Sequence, residues 1–257
     1  MTLSGVRILL AEDNPTNQLV ATQMLETLGA HVTLAVDGAE ALAIVTSLSF
    51  DVALIDIEMP HISGIDLIRR IRLMDPPLCD LPLVALTAYV MREHRAAIEE
   101  AGADGIIAKP ILSIEQFGED IRSFIADRGV AREPVRAVPA PSGETSCMDM
   151  ATFSALKASF DEPTFQELLE KLTADIGSAG DRIASGIETS DLAKVRAGSH
   201  VLISVAGAVG AFHLQDLAQC LNSAGHAADT DQVERTGSAL LKEAEQVLAF
   251  VQGAKEE

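Results

Sequence analysis

Between Val6 and Ala126 the chain alternates five times between short apolar runs and stretches of helical spacing, and few folds accept that rhythm. VRILLA (Val6 to Ala11) is an uninterrupted apolar run, of the kind a parallel sheet buries on both faces. Asn14 to Leu28 follows with apolar residues at Val20, Met24 and Leu28, and it closes on Gly29. Further strands are expected at His31–Val36, Val52–Ile55, Leu83–Leu86 and Gly105–Ala108. Helices are expected between them at 38–48, 64–74, 91–101 and 114–126. Strands that each return through a helix make an α/β, doubly wound, five-stranded parallel sheet. In such sheets the working groups lie beyond the carboxyl ends of the strands.

The rhythm stops at Asp127. DRGVAREPVRAVPAPSGETS (127–146) carries three prolines and no apolar period, so it reads as a linker. A flexible stretch of about 20 residues spans ~25 Å on average. From Met148 onward strand signals vanish, and helices are expected at 149–159, 163–187, 190–209, 212–225 and 229–252. Long amphipathic helices with short connections imply an antiparallel bundle. The chain therefore divides into a first domain at 1–126, a linker at 127–146 and an all-α, four-helix-bundle domain at 147–257.

Charge narrows the partners. Residues 1–126 hold 8 Lys/Arg against 18 Asp/Glu, and 147–257 hold 8 against 17. Neither half would collect nucleic acid. Val201 to Phe212 is the longest apolar stretch, and two glycines and Ser204 leave it too short for membrane insertion. Cys79, Cys147 and Cys220 show no metal or redox spacing, and their odd number suits a reducing, cytoplasmic setting.

The polar residues at the strand ends carry the chemistry. Strand one runs into Glu12 and Asp13, strand three into Asp56, strand four into Thr87, and strand five into Lys109 and Pro110. Converging carboxylates repel one another, and a hard divalent cation such as Mg²⁺ resolves the conflict through oxygen ligands. A carboxylate can attack a phosphoryl group to form an acyl phosphate. A lysine and the metal can offset the charge on the phosphoryl oxygens, and the Thr87 hydroxyl can donate to them. A metal-dependent hydrolase would need a second acid/base pair or a phosphate-cradling glycine loop, and neither is visible.

On ILLAEDNPTNQ (Ile8 to Gln18), LIDIEMPHISG (Leu54 to Gly64), ALTA (Ala85 to Ala88) and AKP (Ala108 to Pro110), residues 6–126 resemble a response-regulator receiver domain, with the flavodoxin-like fold. The wording is most like that of receivers attached to hybrid sensor kinases. The resemblance implies that Asp56 is the phosphoacceptor and that Thr87 and Lys109 contact the phosphoryl group. It also implies that Asp13, Asp56 and the backbone carbonyl of Glu58 bind Mg²⁺, with Glu12 acting through water. Receivers catalyse their own aspartyl phosphorylation and dephosphorylation without being conventional enzymes. Glu58 and Tyr89 flank the acceptor. Many receivers place Tyr or Phe three residues before the lysine; here Ile106 stands there, which removes a large aromatic switch.

The second half contains SHVLISVAGAVGAFHLQDLAQCL (Ser199 to Leu221). Leu192, Val195, Ser199, Leu202, Ala206 and Val209 form a helical core stripe. His200 falls on an adjoining face, beside Ala193, Arg196, Ala197, Ile203, Ser204 and Gly207. Small neighbours leave the imidazole approachable, and imidazole carries phosphoryl groups well near neutral pH. With His200, Leu202, Gly210 and Ala211 matching, residues 148–253 resemble a histidine-containing phosphotransfer (HPt) domain. Ile203 stands where that family has lysine, and Ser204 where it has glycine; Arg196 lies one turn earlier. The two resemblances imply a phosphorelay, fed by a sensor histidine kinase and serving a partner receiver through His200. The other reading keeps the phosphorylated receiver and makes the bundle a silent dock or inhibitor of a kinase.

Overall fold

The computed structural model describes residues 2–87, 92–109, 111, 113–126 and 147–255, and it separates into two compact units, Met1–Val138 and Pro139–Glu257. The linker expected at 127–146 lies outside the described residues, as do Ala88, Tyr89 and Pro110.

The first unit is an α/β sandwich. Strands β1 (Arg7–Ala11), β2 (His31–Ala35), β3 (Val52–Asp56), β4 (Leu83–Thr87) and β5 (Gly105–Ala108) form one parallel sheet in the order β2-β1-β3-β4-β5. Helices α1 (Pro15–Thr27), α2 (Gly38–Ser47), α3 (Gly64–Arg72), α4 (Arg92–Ala101) and α5 (Ile114–Ala126) connect and follow them. Strands β3 and β4 are buried along their whole length, as their unbroken apolar runs require. Edge strand β2 is half-buried over most of its length. Asp56 and Thr87, expected just beyond the strands, are the last paired residues of β3 and β4.

Register brings the strand ends level. Ala11 pairs with Ile55, Asp56 with Leu86 and Thr87 with Ala108. The ladder runs on past the strands: the Glu12 N–H donates to Ala35 O at 3.1 Å and the Lys109 N–H to Thr87 O at 2.8 Å. Gly64 allows the start of α3 to sit on the end of β3. A Cβ there would lie 2.1 Å from the carbonyl oxygen of Asp56, far inside contact distance.

The second unit contains α6 (Met150–Ala158), α7 (Glu162–Glu188), α8 (Leu192–Ala208), α9 (Phe212–Ala227) and α10 (Thr230–Ala254). Each long helix touches two others, closing a ring of α7, α8, α9 and α10. Asp161, Asp191 and Asp229 cap α7, α8 and α10 through their carboxylates, so the punctuation is written in the sequence. Short α6 packs Phe153 edge-on against Phe165 of α7 and Phe250 of α10. No described helix is long and apolar enough to cross a membrane.

Candidate functional site

At the carboxyl edge of the sheet, Glu12, Asp13 and Asp56 each offer a carboxylate oxygen, and these oxygens all lie within 4.8 Å of one another. Strand β1 delivers the first two and β3 the third, side by side because β1 and β3 are paired. Glu12 is only 1% exposed and Asp56 4%, whereas Asp13 is the most open of the three. Lys109 enters from the end of β5, its side chain 7% exposed. Its Nζ lies 2.5 Å from Glu12 Oε2 and 3.0 Å from Asp56 Oδ2. Thr87 is buried at the end of β4, between Asp56 and Lys109 in strand order. The Glu58 side chain points to solvent.

The electrostatics follow from burial. Desolvation, with Asp56 nearby, pushes the Glu12 carboxyl above its ordinary range, although Lys109 and the Asn17 amide oppose the shift. For Lys109 burial disfavours the charge, but attraction from Asp56 and Glu12 outweighs it and the ammonium is held above its usual range. Among the described residues, Lys109 pairs with Glu12 and Asp56, and Asp13 adds a third carboxylate beside them. Three clustered carboxylates suit a hard divalent cation with oxygen ligands, and the donor set fits one.

The structure brings Glu12, Asp13, Asp56 and Lys109 together at one edge, with Thr87 on the intervening strand. Ile106 is buried in the core of the unit. Sequence reasoning gave no role to Asn17, on the first turn of α1, although its Nδ2 donates to Glu12 Oε1 at 3.0 Å. The NPTN run is the signal for it, since such polar residues cluster at helix starts.

His200 lies in the other unit, on α8, and is half-buried with its Nδ1 shielded from solvent. Its surroundings differ from those expected for an open landing face. Ala193 and Ala197 are exposed, but Ile203, Ser204 and Gly207 are buried. The core stripe alone underestimated the burial, because α8 is clasped by both α7 and α9. Ile203 is 0% exposed, and α9 reaches across it: Gln215 Nε2 donates to the Ile203 carbonyl at 3.0 Å. Arg196 leans toward α9, where its Cγ would lie 3.0 Å from a Cβ on Gly225.

A five-stranded parallel sheet in the order 2-1-3-4-5, with an acidic cluster and a buried lysine at its carboxyl edge, defines a receiver, and the chain belongs to the response regulator receiver family: the family's domain model matches residues 8–121. The polar-differentiation response regulator DivK of Brucella anthropi is 30% identical over 120 residues, which cover 47% of this chain and 96% of DivK. The aerobic respiration control sensor protein ArcB of Escherichia coli K12 is 30% identical over 235 residues, covering 87% of this chain. That similarity continues past the receiver into the helical unit. The chain spans only 28% of the length of ArcB. Among solved structures, the receiver domain of a sensor histidine kinase from Pseudomonas aeruginosa PAO1, described with magnesium in its active-site cleft, is 33% identical. It covers 48% of this chain and 100% of its own, with a TM-score of 0.45.

Proposed function

We propose that the chain is a two-domain phosphorelay protein, with a receiver at 1–126 and an HPt-like bundle at 147–257 joined by the linker at 127–146. The observation that carries this is the Lys109 ammonium lodged between buried Asp56 and Glu12, with Asp13 beside them. Such a lysine is positioned to meet the negative oxygens of a phosphoryl group seated on Asp56. Asp13, Asp56 and the Glu58 backbone carbonyl would hold Mg²⁺. Both Glu12 oxygens are already engaged, by Lys109 and Asn17, which agrees with a role for Glu12 at one remove from the metal, through water. When bound, Mg²⁺ draws charge from the phosphoryl oxygens.

The transfer balances simply. A carboxylate oxygen of Asp56 attacks the phosphorus of a donor phosphohistidine, on a sensor kinase or another carrier. The O–P bond forms as the N–P bond breaks, and the departing imidazole keeps the electron pair and takes a proton. Thr87 and Lys109 hold the transferred group. The reverse exchange places the group on His200. Its shielded Nδ1 leaves Nε2 as the nitrogen that a partner receiver would reach, past Ala193 and Ala197. Three free cysteines support a reducing, cytoplasmic setting.

The burial of Ile203 favours a second reading, because the position one turn beyond His200 holds a buried isoleucine in place of a lysine. In that case the bundle docks or inhibits a kinase and carries no phosphate. Radiolabel separates the two. A relay gives acid-labile, base-stable phosphohistidine that His200→Gln abolishes while Asp56 still labels. A bundle that takes no label from any of a panel of phosphorylated receivers defeats the relay.

A further inference from the structure

We infer that Asn17 is a positioning residue for phosphorylation of Asp56, acting through Glu12 to set where the Lys109 ammonium sits. The inference rests on the reading of Asp56 as the acceptor. Glu12 is buried, and its two carboxylate oxygens accept hydrogen bonds from different elements. Lys109 takes Oε2 at 2.5 Å, while Asn17 Nδ2 takes Oε1 at 3.0 Å. The Asn14 N–H also approaches Oε1, at a longer 3.4 Å.

The backbone of Glu12 is pinned on both sides. Its N–H donates to Ala35 O at 3.1 Å, and its carbonyl accepts from Gln18 Nε2 at 2.7 Å. What remains free is the side chain's own rotation, and Asn17 fixes that. Asn17 is itself immobilised, because its backbone N–H donates to Asn14 Oδ1 at 2.9 Å in the cap of α1. From Asn17 the capping bond takes only the main-chain N–H, which any residue other than proline supplies. The side-chain amide is therefore surplus to starting the helix.

Without that amide, Oε1 loses its shorter donor, and a buried carboxylate short of a donor is costly. Glu12 then swings to find partners and its grip on Lys109 loosens. The other anchor of the ammonium is Asp56, at 3.0 Å. Lys109 collapses onto the carboxylate that must stay open as a nucleophile.

The test uses the full chain, with acetyl phosphate and Mg²⁺ as donor and Asp56→Asn as the unlabelled control. Asn17→Leu, which keeps the branching but loses the amide, is expected to slow labelling by about tenfold to a hundredfold, the scale of losing a positioned group. Asn17→Ser, one bond shorter, carries the comparison if the leucine variant does not fold. In a Glu12→Gln background the same change is expected to add no more than about twofold, because the two residues act on one path. In the metal-free protein, the ¹H–¹⁵N resonance of the Lys109 ammonium is expected to move in Asn17→Leu. Wild-type labelling with an unaffected Asn17 variant, or fully multiplicative losses with Glu12→Gln, or an unmoved ammonium resonance, overturns the positioning role alone. A wild type that takes no label at Asp56 overturns the acceptor reading, and this inference with it.

Discussion

Replacing Asp56 with asparagine should make the metal-free receiver unit more stable, even though it removes an ion pair. Asp56 gains from Lys109 at 3.0 Å, an attraction of about 5–6 kcal/mol at an effective dielectric constant near 20. It also faces Glu12 and Asp13, whose oxygens lie within 4.8 Å; each repulsion is then at least about 3.5 kcal/mol on the same scale. The two repulsions together exceed the one attraction by about 1–2 kcal/mol. Asparagine keeps the shape and an oxygen that can still accept from Lys109. In EDTA at pH 7, Asp56→Asn should therefore raise the receiver's melting temperature by roughly 4–12 °C, taking the usual conversion for a domain of this size. Scanning calorimetry is the assay, and the receiver's transition is identified in the wild type as the one that Mg²⁺ moves. Added Mg²⁺ should raise the wild type more than the variant, because the cation supplies the compensation that the mutation made unnecessary. An Asp56→Asn protein that melts at or below the wild type in EDTA would refute the charge balance.

Three other outcomes follow from the same structure. Gly207→Ala puts a Cβ 2.4 Å from Gln215 Nε2 and must displace the amide that serves Ile203 O, so it should cost the helical unit about 1–3 kcal/mol in urea unfolding, and less in a Gln215→Ala background. Asp149→Ala removes the side chain that accepts from the Thr152 N–H at 2.7 Å at the start of α6, and should cost about 1 kcal/mol at neutral pH. The hydrogen bonds to Thr152 hold Asp149 below the usual aspartate range, so this stabilisation is present above that range and fades as pH falls beneath it; circular dichroism melts from pH 7 to pH 3 should show the two proteins converging. Lys109 is held above the ordinary lysine value, so its contribution is complete below about pH 10.4 and is lost only as pH rises beyond it. Alkaline titration of Lys109→Met against the wild type should accordingly show a stability difference that is flat through neutrality and shrinks only above that point.

The receiver was legible because its signals are local and redundant. Each apolar run ends in a polar residue, and once the runs are parallel strands, geometry gathers Glu12, Asp13, Asp56, Thr87 and Lys109 at one edge. Asn17 escaped notice because its role is set by a side-chain rotamer reaching back across a turn, which spacing does not encode. The helical unit was legible in its long amphipathic stretches and short connections, whereas the aspartate caps Asp161, Asp191 and Asp229 at the helix starts were found only in the structure. The environment of His200 was not. Helical periodicity reports one buried stripe, but a helix gripped from two sides buries Ile203, Ser204 and Gly207 as well, and only the packing partners reveal that.

The sheathing of α8 has a consequence for how its histidine can be used. Amides from Leu202 to Gly207 should be among the slowest in the helical unit to exchange with deuterium, since opening them requires neighbouring helices to part. His200 is thus mounted at the margin of what should be the most protected segment of its unit rather than on a yielding loop. In the proposed relay, a partner approaching it would meet a preset template, and any accommodation in the encounter would fall to the visitor.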